Sequence, residues 1–204
     1  MKTRTGFHRF VLVMLLLGGI TASSAAEERP GSAKAFFAGG CFWCMEEVFE
    51  KVPGVTAVVS GYMGGRVANP SYEDVSAGTT GHAESVEVTY DPAKVSYRDL
   101  LNAFWKNVDP VTPNAQFCDH GSQYRAVIFV QNDEERRLAE ESKRAIEESK
   151  RFKEPIVTEI SPTAPFYSAE EYHQDFYKRN PIRYKFYKYN CGRAQRLEEL
   201  WGAP

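Results

Sequence analysis

The chain has 204 residues, 43% hydrophobic and 25% charged, with a formal net charge of −2. That length supports a folded domain with a substantial core, and the composition is that of an ordinary globular protein. The slightly acidic balance argues against nucleic acid as the partner, because phosphate backbones recruit an excess of Lys and Arg.

The first element is a leader. Lys2, Arg4 and Arg9 precede an apolar run from Val11 to Ile20 that is too short to span a bilayer comfortably. Small residues follow, with Ser24 and Ala26 suited to a cleavage after Ala26, the pattern of a secretory signal peptide. Residues 1–26 are expected to be removed, leaving one domain over 27–204; losing three positive charges and no acidic ones takes the net charge from −2 to −5. The expected destination is the bacterial periplasm, with no membrane attachment after cleavage. Export permits disulfides, and all four cysteines (Cys41, Cys44, Cys118, Cys191) fall in the mature part. Four are too sparse to be the scaffold of a domain this size, so a redox role fits better.

Lys34 to Phe37 reads as a short strand leading into Gly39-Gly40. Met45, Val48, Phe49 and Val52 recur at helical spacing, so an amphipathic helix opens at Cys41. Val55 to Ser60 is a second strand, and Gly61 to His82 a long loop of the kind that is usually functional. Glu84 to Tyr90 alternates, placing Val86, Val88 and Tyr90 on one face. Ser96 caps a helix whose stripe is Leu100, Leu101, Phe104, Trp105 and Val108. Asp109 to Ser122 is a second long loop. Tyr124 to Val130 is apolar after Arg125, as a central strand is. Asn132 and Glu135 can cap a charged helix running to about Arg151, with Glu140/Arg144 and Glu147/Arg151 at i,i+4. Ile156 to Ile160 is a strand, Ser168-Ala169-Glu170-Glu171 a capping box for a last helix, and the Tyr- and Arg-rich chain from Asn180 an irregular arm. The fold class is α+β.

Several residues could carry chemistry. Cys41 follows two glycines that allow close backbone approach, at a helix start whose dipole and free N–H groups favour a thiolate; Phe42 and Trp43 put aromatic walls beside it. A buried inert cysteine is the bland reading. Glu84 shares the parity of Val86, so its carboxyl is aimed at the core side, where desolvation would raise its pKa and make it a proton donor. Tyr72, Asp119 and Tyr124 sit in or beside the long loops and can hydrogen-bond an oxygen. Cys191 lies in the arm and can reach a second cysteine if the Cα atoms come within roughly 7 Å; Cys44 can do the same through the C-x-x-C spacing, and Cys118 can be packing alone. Two other classes compete. C-x-x-C in an exported chain suggests a thioredoxin-like oxidoreductase, although Gly40 rather than Trp precedes it. Four cysteines with His82 and His120 could ligate zinc, but their spacing gives only one ligand pair.

Together these residues resemble the peptide methionine sulfoxide reductase A family. The matching elements are Gly40-Cys41-Phe42-Trp43, Gly81-His82-Ala83-Glu84, Asp119-His120-Gly121-Ser122-Gln123-Tyr124-Arg125, and the Tyr-x-x-x-Cys-Gly-Arg arm that ends in Leu200-Trp201-Gly202. The resemblance implies a two-layer α/β sandwich related to the ferredoxin-like split βαβ, with an irregular C-terminal coil. It implies reduction of the S epimer of methionine sulfoxide, free or in oxidised proteins and peptides. By motif match Cys41 is the nucleophile, Glu84 the acid, Tyr72 and Tyr124 hold the sulfoxide oxygen, Asp119 helps seat the substrate, and Phe42 and Trp43 hold its S-methyl group. A resolving thiol, expected to be Cys191 with Cys44 as the alternative, then closes a disulfide that a thioredoxin-like donor reduces. No metal or organic cofactor is implied, and the chain is expected to be a monomer. It departs from the family pattern at Cys44, often Gly there, and at Cys118, where Asn is usual.

Overall fold

A computed structural model describes residues 31–202, so the expected leader lies outside the described residues. Strand β1 (Ala33–Gly39) leads through Gly40 into helix α1 (Phe42–Glu50). Strand β2 (Val55–Met63), the short helix α2 (Tyr72–Ser76), strand β3 (Ala83–Tyr90) and helix α3 (Tyr97–Trp105) follow. Next come a two-residue hairpin, β4 (Ala115–Gln116) and β5 (Asp119–His120), a 3-10 turn at Ser122–Tyr124, strand β6 (Ala126–Val130) and helix α4 (Asp133–Glu148). Strands β7 (Glu159–Pro162) and β8 (Tyr167–Ser168) precede helices α5 (Phe176–Arg179), α6 (Pro181–Asn190) and α7 (Arg193–Trp201).

Six strands form a mixed sheet in the order β7-β6-β1-β3-β2-β8. Neighbours are antiparallel except β6 and β7, which run parallel. Period-two alternation sorts the side chains. Phe37, Val58, Tyr62, Val86, Val88 and Ile128 face a core closed by Met45 and Phe49 of α1, Leu100, Leu101 and Phe104 of α3, and Leu138 and Ala139 of α4. The opposite parity, Phe36, Ala38, Met63, Ala83, Val127 and Phe129, makes a smaller core under Ala164 and Phe166. Residues of β6 are buried throughout because a strand covered on both faces cannot alternate. The capping box at Ser96 and Asp99 is present, and the Asn132 side chain accepts from the Glu135 N–H at 2.9 Å.

Tertiary contacts override several local readings. The arm from Asn180 is not an irregular coil but two helices: Pro181 stands at the first helical turn of α6, and Gly192, at φ 65°, separates α6 from α7. Its periodicity was hidden because α6 leaves Ile182, Phe186 and Tyr189 exposed. No helix opens at Ser168. Tyr167 and Ser168 pair with β2, and the Glu170 carboxylate accepts the Tyr72 N–H and the Tyr62 hydroxyl, each at 2.8 Å, instead of capping its own segment. The long loop from Gly61 holds the end of β2 and all of α2, and the loop from Asp109 holds the small hairpin. The strand expected from Tyr124 begins at Ala126, and the strand expected from Ile156 runs instead over Glu159–Pro162. On α4, Glu140 pairs with Arg136 rather than Arg144, and Arg151 leaves the helix to donate to the Leu200 carbonyl.

Candidate active site

The β1–α1 connection sets the thiol. Gly40 has φ +82°, and a Cβ there would meet Gln116 Cβ at 2.5 Å; a Cβ at Gly39 would meet Met45 Sδ at 2.7 Å. Both glycines are needed, the first for its left-handed backbone and both for crowding. Cys41 is the N-cap residue of α1, and its carbonyl accepts from Cys44 and Met45. The first free amide of the helix, Phe42 N–H, donates to Glu84 Oε2 at 3.0 Å. The acid thus sits at the helix N-terminus, beside the thiol, and satisfies a donor the helix cannot. Glu84 is 3% exposed on the helix-covered face of β3, as its parity implied.

Around that pair lies a pocket of about 80 Å³ lined by Cys41, Phe42, Trp43, Tyr72, Glu84, Asp119, Tyr124 and Tyr187. Tyr72 arrives on α2, Asp119 on the small hairpin and Tyr124 on the 3-10 turn, so the two long loops converge here. Tyr187 of α6 donates to Asp119 Oδ2 at 2.5 Å. The Trp43 ring stacks on Phe176 at a centroid distance of 3.7 Å and meets Tyr187 edge-on. A larger surface groove lies between α3 and α4, away from these residues.

Burial dominates the electrostatics. It lifts the Glu84 carboxyl to about 8 against the Phe42 N–H, and the nearby Asp119 and Cys44 charges push the same way, so the group is protonated at neutral pH. Burial also raises Asp119, against the Tyr187 hydrogen bond, and raises Tyr72 to about 12. The expected helix-start activation of Cys41 is corrected: burial, then the Cys44 sulfur alongside, hold its thiol well above the ordinary range. The Cys44 thiol is held below its ordinary range, chiefly by the hydrogen bond from Cys41 and against burial, with Arg193 assisting. A dipole is a weaker influence than the removal of water from a cysteine that is 6% exposed.

One pair of cysteines is bonded and the other free. Cys191, expected to reach Cys41, is bonded to Cys118, with a Cα–Cα distance of 4.9 Å. Cys118 is therefore not packing alone. Cys41 and Cys44 are the free thiols among the described residues. His82, weighed as a zinc ligand, has both ring nitrogens committed, one to the Gly65 N–H and one to the Val67 carbonyl.

Sequence reasoning missed four residues. Tyr187 and Arg193 lie in the arm taken as coil; Arg193 is 3% exposed and donates to the Asn107 carbonyl at 2.6 Å. His173 accepts the Trp43 indole N–H at 3.1 Å. Glu47 accepts from Tyr184 and Lys188, fastening α6 to α1; burial opposes its charge, but Lys188, Lys51 and Tyr184 hold it at about 2. Recognising the arm as helical would have put Tyr184, Tyr187 and Lys188 on one face, which was the available signal.

Residues 33–204 match the family model described as peptide methionine sulfoxide reductase. A curated relative from Halalkalibacterium halodurans, named peptide methionine sulfoxide reductase MsrA, is 53% identical over 83% of this chain and 96% of its own. The reduced form of Mxr1 from Saccharomyces cerevisiae superposes with a TM-score of 0.70 at 31% identity, covering 74% of this chain and 87% of that one. Another crystal structure, of that yeast protein in complex with Trx2, gives 0.53 at 24% identity over 75% and 91%. Methionine sulfoxide reductase A of Corynebacterium diphtheriae gives 0.68 at 31% identity over 76% and 78%. This chain belongs to the peptide methionine sulfoxide reductase family.

Proposed function

We propose that the protein reduces the S epimer of methionine sulfoxide, in proteins and free, to methionine. The observation that carries this reading is one small pocket holding a buried thiol beside a buried carboxyl that is protonated at neutral pH. A sulfoxide sulfur is electrophilic, but its oxygen leaves only when protonated. Cys41 is the nucleophile. Binding of the sulfoxide breaks the resting arrangement in which Cys41 donates to Cys44: the Cys41 proton passes to the Cys44 sulfur, and the Cys41 sulfur attacks the substrate sulfur. Glu84 gives its proton to the departing oxygen, and Tyr72 and Tyr124 hydrogen-bond that oxygen. Phe42 and Trp43 wall the S-methyl group, and Asp119, held by Tyr187, seats the substrate. Methionine is released and Cys41 carries the oxygen as a sulfenic acid.

A second thiol then displaces that oxygen as water and closes a disulfide. The free, buried Cys44 on the same helix supports Cys44 in this role rather than Cys191, which is already bonded. A thioredoxin-like dithiol restores the thiols by exchange, a reading supported by the solved complex of the yeast relative with Trx2. The succession β1–α1–β2–β3–α3–β6, with β6-β1-β3-β2 as spatial order, supports describing the fold as a two-layer sandwich related to the ferredoxin-like split βαβ. The basic and apolar leader, together with a disulfide between Cys118 and Cys191, supports export to a periplasm. We also read the protein as a monomer without metal or organic cofactor.

The test is turnover of separated S and R epimers of an acetylated methionine sulfoxide with dithiothreitol as donor. Reduction of the S epimer alone, abolished by Cys41→Ser, is expected. A folded, reduced sample that leaves both epimers intact overturns the reading.

A further inference from the structure

His173 lies between β8 and α5 and is 2% exposed. Its imidazole sits among the rings of Phe42, Trp43, Tyr72 and Tyr172, at centroid distances of 5.0, 5.7, 4.4 and 4.2 Å. The Trp43 indole N–H donates to His173 Nδ1 at 3.1 Å. A ring nitrogen that accepts a hydrogen bond carries no proton, and a neutral imidazole has one N–H, so that proton is on Nε2. Nε2 is itself buried without a hydrogen-bond partner among the described residues. The ring therefore keeps an unsatisfied donor while committing its other nitrogen to Trp43, which marks the acceptor as the function of the residue.

The geometry of Trp43 explains why it needs one. Its indole lies flat on Phe176, at 3.7 Å and 8°, and touches Tyr187 by an edge. A ring held by stacking alone can turn in its own plane without losing contact, since stacking is weakly directional. The N–H···N bond is directional and removes that freedom. We propose that His173 is a positioning residue: as the neutral Nε2–H tautomer it fixes the in-plane orientation of Trp43, and so the shape of the pocket wall that receives the S-methyl group of the substrate. The inference rests on the reading of the pocket as a methionine sulfoxide site.

Protonating His173 removes the acceptor. Burial pulls the ring below its ordinary 6.5, while Glu170 and Glu73 pull the other way. The titratable groups facing it are Tyr72 and Glu73 from α2 and Glu170 and Tyr172 from its own segment; α1 presents Phe42 and Trp43. Burial holds both tyrosines above their ordinary range, and the Tyr72 and Tyr62 hydrogen bonds hold Glu170 ionised against burial, so none of these three changes charge just below pH 6.5.

The experiment compares the full chain with His173→Phe, which keeps the ring but not the acceptor, and His173→Gln, which restores an acceptor. Loss of one orienting hydrogen bond should raise KM for an S-sulfoxide peptide about 10-fold in His173→Phe, leave kcat within about 3-fold, and be largely reversed in His173→Gln. Wild-type KM should rise as pH falls below 6.5, with no such limb in either variant. Independently of activity, the Trp43 indole N–H resonance, assigned by its loss in Trp43→Phe, should exchange slowly with solvent in wild type and His173→Gln and rapidly in His173→Phe. Wild-type KM and slow indole exchange in His173→Phe overturn the proposal. A wild type that does not reduce sulfoxide overturns the functional reading instead, and indole exchange still decides whether His173 locks Trp43. If His173→Phe does not fold, His173→Gln decides: an acid limb in KM that survives in it overturns the proposal.

Discussion

Cys41 and Cys44 stand three positions apart in sequence, buried to 6% and 2% exposure and unbonded, whereas Cys118 and Cys191 are separated by 73 residues, lie toward the surface and are joined. Both spacings permit a bridge, so proximity does not explain the difference. Of the first pair, Cys41 lines the pocket and Cys44 is packed behind it, and burial and mutual hydrogen bonding shift both thiols. The second ties the hairpin that carries Asp119 to the end of α6, the helix that carries Tyr187. On the proposed mechanism one residue type serves chemistry in one place and fastening in the other, and the surroundings make the division.

The sharpest way to break that comparison is to remove the carboxyl proposed as the proton donor to the pocket. Glu84→Gln should cost about 10²–10⁴-fold in kcat/KM, the range for a general acid. In the wild type the rate should fall as pH rises through about 8, where Glu84 loses its proton, and this limb should vanish in the variant. A stopped-flow pH profile checks both. The next largest effect separates the pairs directly. Cys44→Ser should release about one methionine per protein and stop with Cys41 as a sulfenic acid when a thioredoxin-like donor is supplied, whereas Cys191→Ser should keep cycling. Mass spectrometry after one equivalent of substrate reads the species; a Cys41–Cys191 bridge would reverse the assignment.

Stability predictions are smaller in consequence. Replacing Cys118 and Cys191 together by Ser should lower the unfolding free energy by about 2–4 kcal/mol, measured by urea titration, with turnover retained. Folding also holds the Glu84 carboxyl above its unfolded value of 4.5, to about 8, so its protonation contributes stability fully present below 4.5 and lost as pH rises through 8. Glu84→Gln should therefore flatten the fall in melting temperature between those values even as it destroys activity. A parallel fall in wild type and variant would show that other groups carry the dependence.

Much of the site was legible because it is written in short local patterns. The double glycine before Cys41 announces a crowded left-handed turn, the alternation of β3 fixes the face of Glu84, and the two long loops announce that something converges there. The arm was not legible. Its helices bury Tyr184, Arg193 and Leu200 while exposing Ile182 and Phe186, so its apolar residues do not mark the inner face. Ser168 and Glu171 form a capping pattern that β2 and Tyr72 outbid by pairing with the same segment.

What the sequence by itself determined is the set of local commitments: which residues open α1 and which face of β3 meets the helices. Those follow from backbone geometry and side-chain period, which act over a few residues. The tertiary structure alone decided which thiols pair, how far burial shifts each titrating group, and that Tyr187 lines the pocket while His173 holds the Trp43 indole. Each of these depends on desolvation and on contacts between segments far apart in the chain, and no local pattern encodes how much water a group has lost.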